Sequence, residues 1–264
     1  MIDSTGLWKD LAAIRDQGPL VHNVTNLVVM DFTANALLAL GASPVMAHAL
    51  QEVRDMAALA GALVLNMGTL DDHWIASMLA ALGAAREHGK PVVFDPVGAG
   101  ATPFRTETAQ RLLEAGGISV IRGNASEIAA LAGVAGRTKG VDSLDESLQV
   151  AEVAMSLTTY CEAISISGHK DVVVSRERRC VLGNGCAMMT RVTGMGCTAT
   201  ALTGAFLAVQ ADPFLAAAHA MAVMGIAGEV ASQQSNGPGS LRTRFLDALY
   251  NLDERTLASS LRVE

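Results

Sequence analysis

The sequence predicts a single α/β sandwich built on a largely parallel sheet, and three observations lead there. Short apolar runs such as "ALVLNMG" and "PVVFDPVG" read as strands buried on both faces. Those runs alternate with helix-length segments along most of the 264 residues. No Pro/Ser linker, composition break or repeat interrupts the alternation, so residues 1–264 read as one domain. Apolar residues make up 50% of the chain and aromatics only 4%, which predicts a core of small side chains packed closely.

The elements follow in order. Leu7, Leu11 and Ile14 recur at spacings of four and three, which predicts a helix over 4–16. "PLVHNVTN" is a short strand running into a polar loop, and residues 27–41 form a helix stopped by Gly41. A strand at 42–47 and a helix at 51–61 come next. A buried strand at 62–68, a helix at 73–89 and another buried strand at 91–102 follow. Residues 107–115 are helical, 118–124 a strand and 125–133 a helix. The segment 136–144 is the expected mobile loop, before a helix over 144–160. A strand at 162–168 precedes a hairpin of 171–175 and 179–185. Two long Ala-rich helices, 197–209 and 213–233, and a last helix at 241–251 complete the chain.

Composition excludes several classes. A net charge of −7 argues against general nucleic-acid or anionic-membrane binding. Arg191 to Asp212 contains no charged residue between them, yet Thr, Gly and Gln interrupt the run and Asp212-Pro213 ends it. Buried Ala-rich helices explain it better than a membrane span. Cys161, Cys180, Cys186 and Cys197 form no CxxC pair, the pattern of free thiols in a cytoplasmic protein. His88 is expected in solvent, His219 as a satisfied core histidine, and His22 and His48 beside the pocket.

Ligands of an open α/β sheet bind beyond the carboxyl ends of its strands. The polar and turn residues there are Asn23, Thr25, Asn26, Met46, His48, Asn66, Gly68, Asp95, Arg122, Asn124, Glu127 and Ser167. This set suits a charged cofactor with a metal ion. Gly194, Gly196 and Cys197 open a helix, where unpaired amides and the helix dipole form an anion site. There is no Walker lysine and no third glycine of a dinucleotide fingerprint. Cys197 is either a small buried apolar residue or a thiol whose thiolate the helix start stabilises. Glu127, three residues after Asn124, fits a capping box or a water-coordinated Mg²⁺. Arg122 ends an apolar strand and needs an anionic partner, which a phosphate or Glu127 supplies.

Together "PLVHNVTN", "TANALLALGASPVM", "LVLNMGTL", "DPVGAGAT", "IRGNASEI", "VTGMGC" and "GPGS" resemble the hydroxyethylthiazole kinase family of thiamine salvage. The resemblance spans nearly the whole chain. It implies a ribokinase-like three-layer sandwich and transfer of the ATP γ-phosphoryl group to 4-methyl-5-(2-hydroxyethyl)thiazole, using Mg²⁺, in a homotrimer. It implies that Met46 and Gly194 contact the thiazole alcohol, with Asn23 lining its pocket. Arg122 and Ser167 then contact ATP, Asp95 and Glu127 organise the magnesium waters, and Cys197 occupies the place of a catalytic base. The chain departs from the family pattern at Ser167, where threonine is expected, and at Met195, where Ala or Thr is expected. It also carries "SGHKD" in place of a more acidic run. The alternatives are a kinase for another small alcohol and a nucleotide-dependent nicotinamide-hydrate dehydratase. A Cys197-nucleophile transferase and a nucleotide sensor without catalysis are further ones.

Overall fold

A computed structural model describes residues 2–134 and 146–264 of the chain. Six strands run parallel: β1 (Leu20–Val24), β2 (Ser43–Val45), β3 (Ala62–Asn66), β4 (Val92–Asp95), β5 (Val120–Asn124) and β6 (Ala163–Ser167). β7 (Asp171–Val174) and β8 (Arg179–Leu182) add an antiparallel hairpin. All eight form one sheet in the order β2-β1-β3-β4-β5-β6-β7-β8. Every residue of β3 and β4 is buried, which is why these strands read as unbroken apolar runs rather than alternating ones.

Helices cover both faces. One apolar layer joins α1 (Ser4–Gln17), α2 (Met30–Leu40), α8 (Met195–Leu207), α9 (Pro213–Ser232), α10 (Pro238–Asn251) and α11 (Glu254–Ser260). The other joins α3 (Val53–Leu59), α4 (Asp72–Glu87), α5 (Pro103–Ala115), α6 (Ala125–Leu131) and α7 (Glu146–Ala154). Among the described residues, α9 is long and apolar enough to cross a membrane, yet it is mostly buried, packing on α8, α10 and β6. α8 lies on β1, β3 and β4 because it carries Gly204: a Cβ there would come within 2.8 Å of Val64. That approach brings the first turn of α8 to the carboxyl ends of those strands.

Several expected boundaries shift, each for a local reason. The helix expected from residue 27 begins at Met30, because Thr69 Oγ1 accepts the Leu27 amide at 3.1 Å and bends the chain beforehand. The strand expected over 91–102 stops at Asp95: Pro96 has no N–H for the ladder, and Gly98 and Gly100 take positive φ. α5 starts at Pro103, four residues early, with Thr102 Oγ1 accepting the Arg105 amide and proline in the first turn. α10 likewise starts at Pro238. The helix expected to reach Tyr160 tightens into a 3₁₀ turn at Met155–Thr159, where the hydroxyls of Ser156, Thr158 and Thr159 donate to carbonyls three residues back. The short α11 and a 3₁₀ turn at Ala187–Arg191 were not anticipated. The loop expected at 136–144 lies outside the described residues.

Candidate active site

The parallel order sets the carboxyl ends of β1, β3, β4, β5 and β6 side by side. Polar side chains after β1, β3 and β4 join with those of α8 into one hydrogen-bonded chain. Asn26 Nδ2, just after β1, donates to Cys197 Sγ at 3.4 Å and to Asn66 Oδ1 at 2.8 Å. Asn66 Nδ2, ending β3, donates to Asp95 Oδ2 at 2.8 Å. Thr200 Oγ1, one turn along α8 from Cys197, donates to the same oxygen at 2.7 Å. β3, β4 and α8 thus meet around one carboxylate, and the segment after β1 joins it through Asn66. Asp95 is buried, and burial, together with the nearby Glu127 carboxylate, lifts its pKa to about 6 against the opposing pull of Arg122.

Of the two sequence readings of Cys197, the structure opposes the stabilised thiolate. A helix start should favour its thiolate, but burial and the charge of Asp95 push the thiol up to about 11. The side chain is half-buried, and desolvation outweighs the hydrogen bonds of Asn66 and Asn26 and the pull of Arg122. At neutral pH it is a thiol.

Gly194 caps α8 with φ of +90°, and a Cβ there would meet Val29 at 2.9 Å. Both constraints require glycine. The first bond of the helix runs from Thr198 N to Gly194 O at 2.8 Å. The amides of Met195, Gly196 and Cys197 therefore have no partner within the helix. A Cβ on Gly196 would meet Arg122 Nη1 at 2.9 Å, so the guanidinium lies directly against the turn. Met195 itself is buried and belongs to the apolar layer that includes α2, α8 and α9.

Arg122 is buried. Its Nη2 donates to Ser167 Oγ at 2.7 Å across the β5–β6 pair, and its Nε has no partner among the described residues. Of the two anionic partners the sequence offers it, Glu127 forms no ion pair with it among the described residues. Glu127 instead completes the capping box of α6: Asn124 Oδ1 accepts the Glu127 amide at 2.9 Å, and Glu127 Oε2 accepts the Asn124 amide at 2.9 Å. Its Oε1 accepts the Gly98 amide at 2.9 Å.

Asn23 is fully buried. Its Nδ2 donates to Val21 O at 2.9 Å, and its Oδ1 has no partner among the described residues. Met46 follows β2, and its carbonyl lies 3.2 Å from His48 Nδ1. His48 stacks on Trp74 at a ring separation of 4.4 Å. His22 does not reach the site: it is buried, its Nε2 lies 2.7 Å from Ala47 O, and burial lowers its pKa. His219 is a core histidine paired with Asp10 at 2.7 Å, and His88 is exposed.

Three contributors carried no role in the sequence reading. Thr200 sits three residues beyond Cys197, a spacing that shares a helix face and was available as a signal. Asp171, beginning β7, accepts the Gly168 amide at 3.1 Å; burial lifts its carboxyl to about 6 against the pull of Arg122. Arg105 holds the loops after β3 and β4 by their carbonyls, and no local spacing announces that.

The family model for the hydroxyethylthiazole kinase family matches residues 11–255. The chain belongs to the hydroxyethylthiazole kinase family. A hydroxyethylthiazole kinase of Syntrophus aciditrophicus is 53% identical over 97% of this chain and 96% of its own length. One from Vibrio parahaemolyticus is 52% identical over 96% of each. The solved structure of a hydroxyethylthiazole kinase protein from Pyrococcus horikoshii superposes with a TM-score of 0.91 at 41% identity, covering 98% of both chains. Staphylococcus aureus pyridoxal kinase, at 16% identity, shares the fold with a TM-score of 0.64 over 93% of this chain and 97% of its own. The architecture of this hydroxyethylthiazole kinase family member is thus the ribokinase-like sandwich.

Proposed function

We propose that the protein transfers the γ-phosphoryl group of ATP to the hydroxyl of 4-methyl-5-(2-hydroxyethyl)thiazole, in thiamine salvage. The observation that carries this reading is the contact between Arg122 Nη1 and the glycine turn heading α8. A buried cation beside unpaired amides suits a phosphoryl group whose charge spreads over three oxygens in the transition state. The names of the relatives above favour the thiazole alcohol over another alcohol or a nicotinamide hydrate.

In this reading Gly194, Gly196 and Cys197 supply amides to the migrating group, and Arg122 with Ser167 holds ATP. Met46 and Gly194 contact the thiazole alcohol. Asn23 lines its pocket, and its unpartnered Oδ1 is an acceptor in wait for a donor. Cys197, protonated at neutral pH, acts by position and by donating its S–H rather than as a strong base. A loose transition state needs little early proton removal, so no strong base is required there.

Magnesium fits the residues present. Among the described residues no three acidic, histidine or cysteine side chains gather as a metal cage. Mg²⁺ bound with phosphates needs only one or two carboxylates and its own waters. Among the described residues both hydrogen bonds to the Asp95 carboxylate end on Oδ2, leaving Oδ1 for such a contact. Asp95 and Glu127 would hold the hydrated ion, which would neutralise phosphate charge when bound.

We also read residues 1–264 as one kinase domain, which the single sheet supports. Four free cysteines and the buried α9 support a cytoplasmic enzyme. The apolar side chains of Leu27 and Val28, exposed beside the site, suit coverage by another copy in a homotrimer. An enzyme-linked assay for ADP release tests the central reading. ADP release requiring both the thiazole alcohol and Mg²⁺ is the expected result; no release above the ATP-only background would refute it.

A further inference from the structure

Arg105 stands on α5, outside the ring of residues that face the site. Its Nη1 donates to Met67 O at 2.7 Å and to Val97 O at 2.8 Å, and its Nη2 donates to Gly68 O at 2.8 Å. One planar guanidinium therefore ties the loop after β3 to the loop after β4. Both loops connect directly to Asp95. On the β3 side, the Gly68 amide donates to Asn66 Oδ1 at 2.9 Å, and Asn66 Nδ2 donates to Asp95 Oδ2. The Met67 amide donates to Asp95 O at 3.2 Å.

The β4 side is more specific. Val97 C=O and Gly98 N–H belong to the same peptide bond. Arg105 holds its carbonyl end and Glu127 Oε1 holds its amide end. A planar trans peptide gripped at both ends cannot rotate, and Gly98, at φ of +75°, otherwise has wide freedom to do so. The same peptide thereby aims the Glu127 carboxylate from the opposite side. A lysine could not reproduce this grip, because an ammonium is a point charge on a flexible stem and lacks the planar fork.

We propose that Arg105 is a positioning residue for phosphoryl transfer, fixing through the Met67, Gly68 and Val97 carbonyls the loops that orient Asp95 and Glu127. This rests on the kinase reading above. The Arg105 guanidinium is occupied by loop carbonyls, so its loss should act on kcat rather than on binding.

The test is steady-state kinetics on folded Arg105→Ala, Arg105→Lys, Glu127→Gln and the Arg105→Ala/Glu127→Gln double variant. Misplacement of reacting groups by about 1 Å costs up to roughly 100-fold in rate. We expect kcat to fall at least about tenfold in Arg105→Ala, with each KM within about threefold of wild type. Arg105→Lys should recover only part of it. Both residues act through one peptide, so Glu127→Gln should cost at least about fivefold less in the Arg105→Ala background than in wild type, a non-additivity that a purely structural arginine would not produce. Unchanged kcat in folded Arg105→Ala, or kcat losses that simply multiply, would overturn the proposal. If Arg105→Ala does not fold, the Arg105→Lys/Glu127→Gln pair makes the same comparison, and wild-type kcat in Arg105→Lys overturns it. Wild-type protein without thiazole-dependent turnover would instead bring down the kinase reading, and the arginine proposal with it.

Discussion

The Thr200 hydroxyl donates to Asp95 Oδ2 across 2.7 Å, joining the second turn of α8 to the end of β4. This bond strengthens when Asp95 is ionised. Thr200→Val removes the donor, and a hydrogen bond to a buried charge contributes about 1.5–3 kcal/mol. Urea unfolding should show that loss at pH 8 and a loss of about 1 kcal/mol or less at pH 4.5, where the acid is protonated. Equal losses at both pH values would contradict the arrangement.

Asp95 should cost the fold stability at the pH where it works. Its folded pKa of about 6 lies above its ordinary value of 3.8, chiefly through burial. The sign follows: its favourable contribution is complete below about pH 3.8 and disappears as pH rises through about 6. Asp95→Asn should therefore be more stable than wild type at pH 8, by on the order of 2–3 kcal/mol, and should lose that advantage near pH 4. The same variant should lose thiazole phosphorylation. Denaturant titrations of both proteins between pH 4 and 8 check the first point. Identical stability at pH 8 would count against a strongly buried carboxylate.

Cys197 should behave as a sluggish thiol. With its pKa pushed up to about 11, its alkylation by iodoacetamide should rise roughly tenfold per pH unit between pH 7 and 9.5. A plateau below pH 8 would mean a stabilised thiolate. Cys197→Ser should raise the barrier by less than about 2 kcal/mol, whereas Arg122→Ala and Glu127→Gln should cost more. A dead Cys197→Ser alongside a normal Glu127→Gln would reverse these roles.

Away from the site, Asp10 Oδ2 takes a 2.7 Å contact from His219 Nδ1 and a 2.9 Å bond from Gln210 Nε2, pinning α1 to α9. These hydrogen bonds together with the charge of His219 hold Asp10 below its ordinary pKa despite its burial. Its contribution is thus present above about pH 3.8 and lost as pH falls through the lower folded value. His219→Ala should destabilise the protein by about 3 kcal/mol, by stranding a buried carboxylate, with kcat unchanged. A falling kcat at constant stability would overturn this division of labour.

Much of the molecule was legible in the residues. Val92, Val93 and Phe94 announce a strand buried on both faces, because apolar side chains on successive positions have no solvent side to avoid. The spacing of Asn124 and Glu127 offered the capping box that forms, alongside a magnesium role. Gly194 marked a backbone turn that no other residue could take, and the family resemblance carried by "HNVTN" and "IRGNASEI" named the chemistry. Local rules also misplaced things locally. A helix was expected to begin at Leu27, because propensity could not know that Thr69, 42 positions later, would hold its amide.

The sequence by itself determined the strand and helix alternation, the parallel sheet, the glycine turn heading α8 and the family. Each of these depends on neighbours a few positions apart or on a motif as a whole. Only the tertiary structure decided that Thr200 meets Asp95, 105 positions away, and that Arg105 ties two loops together. It also decided that Cys197 is a thiol and that Arg122 turns to Ser167 rather than to Glu127. The physical reason is common to all of these. Protonation and pairing depend on what surrounds a group in space, and the sheet brings those surroundings together from segments that are remote in the chain.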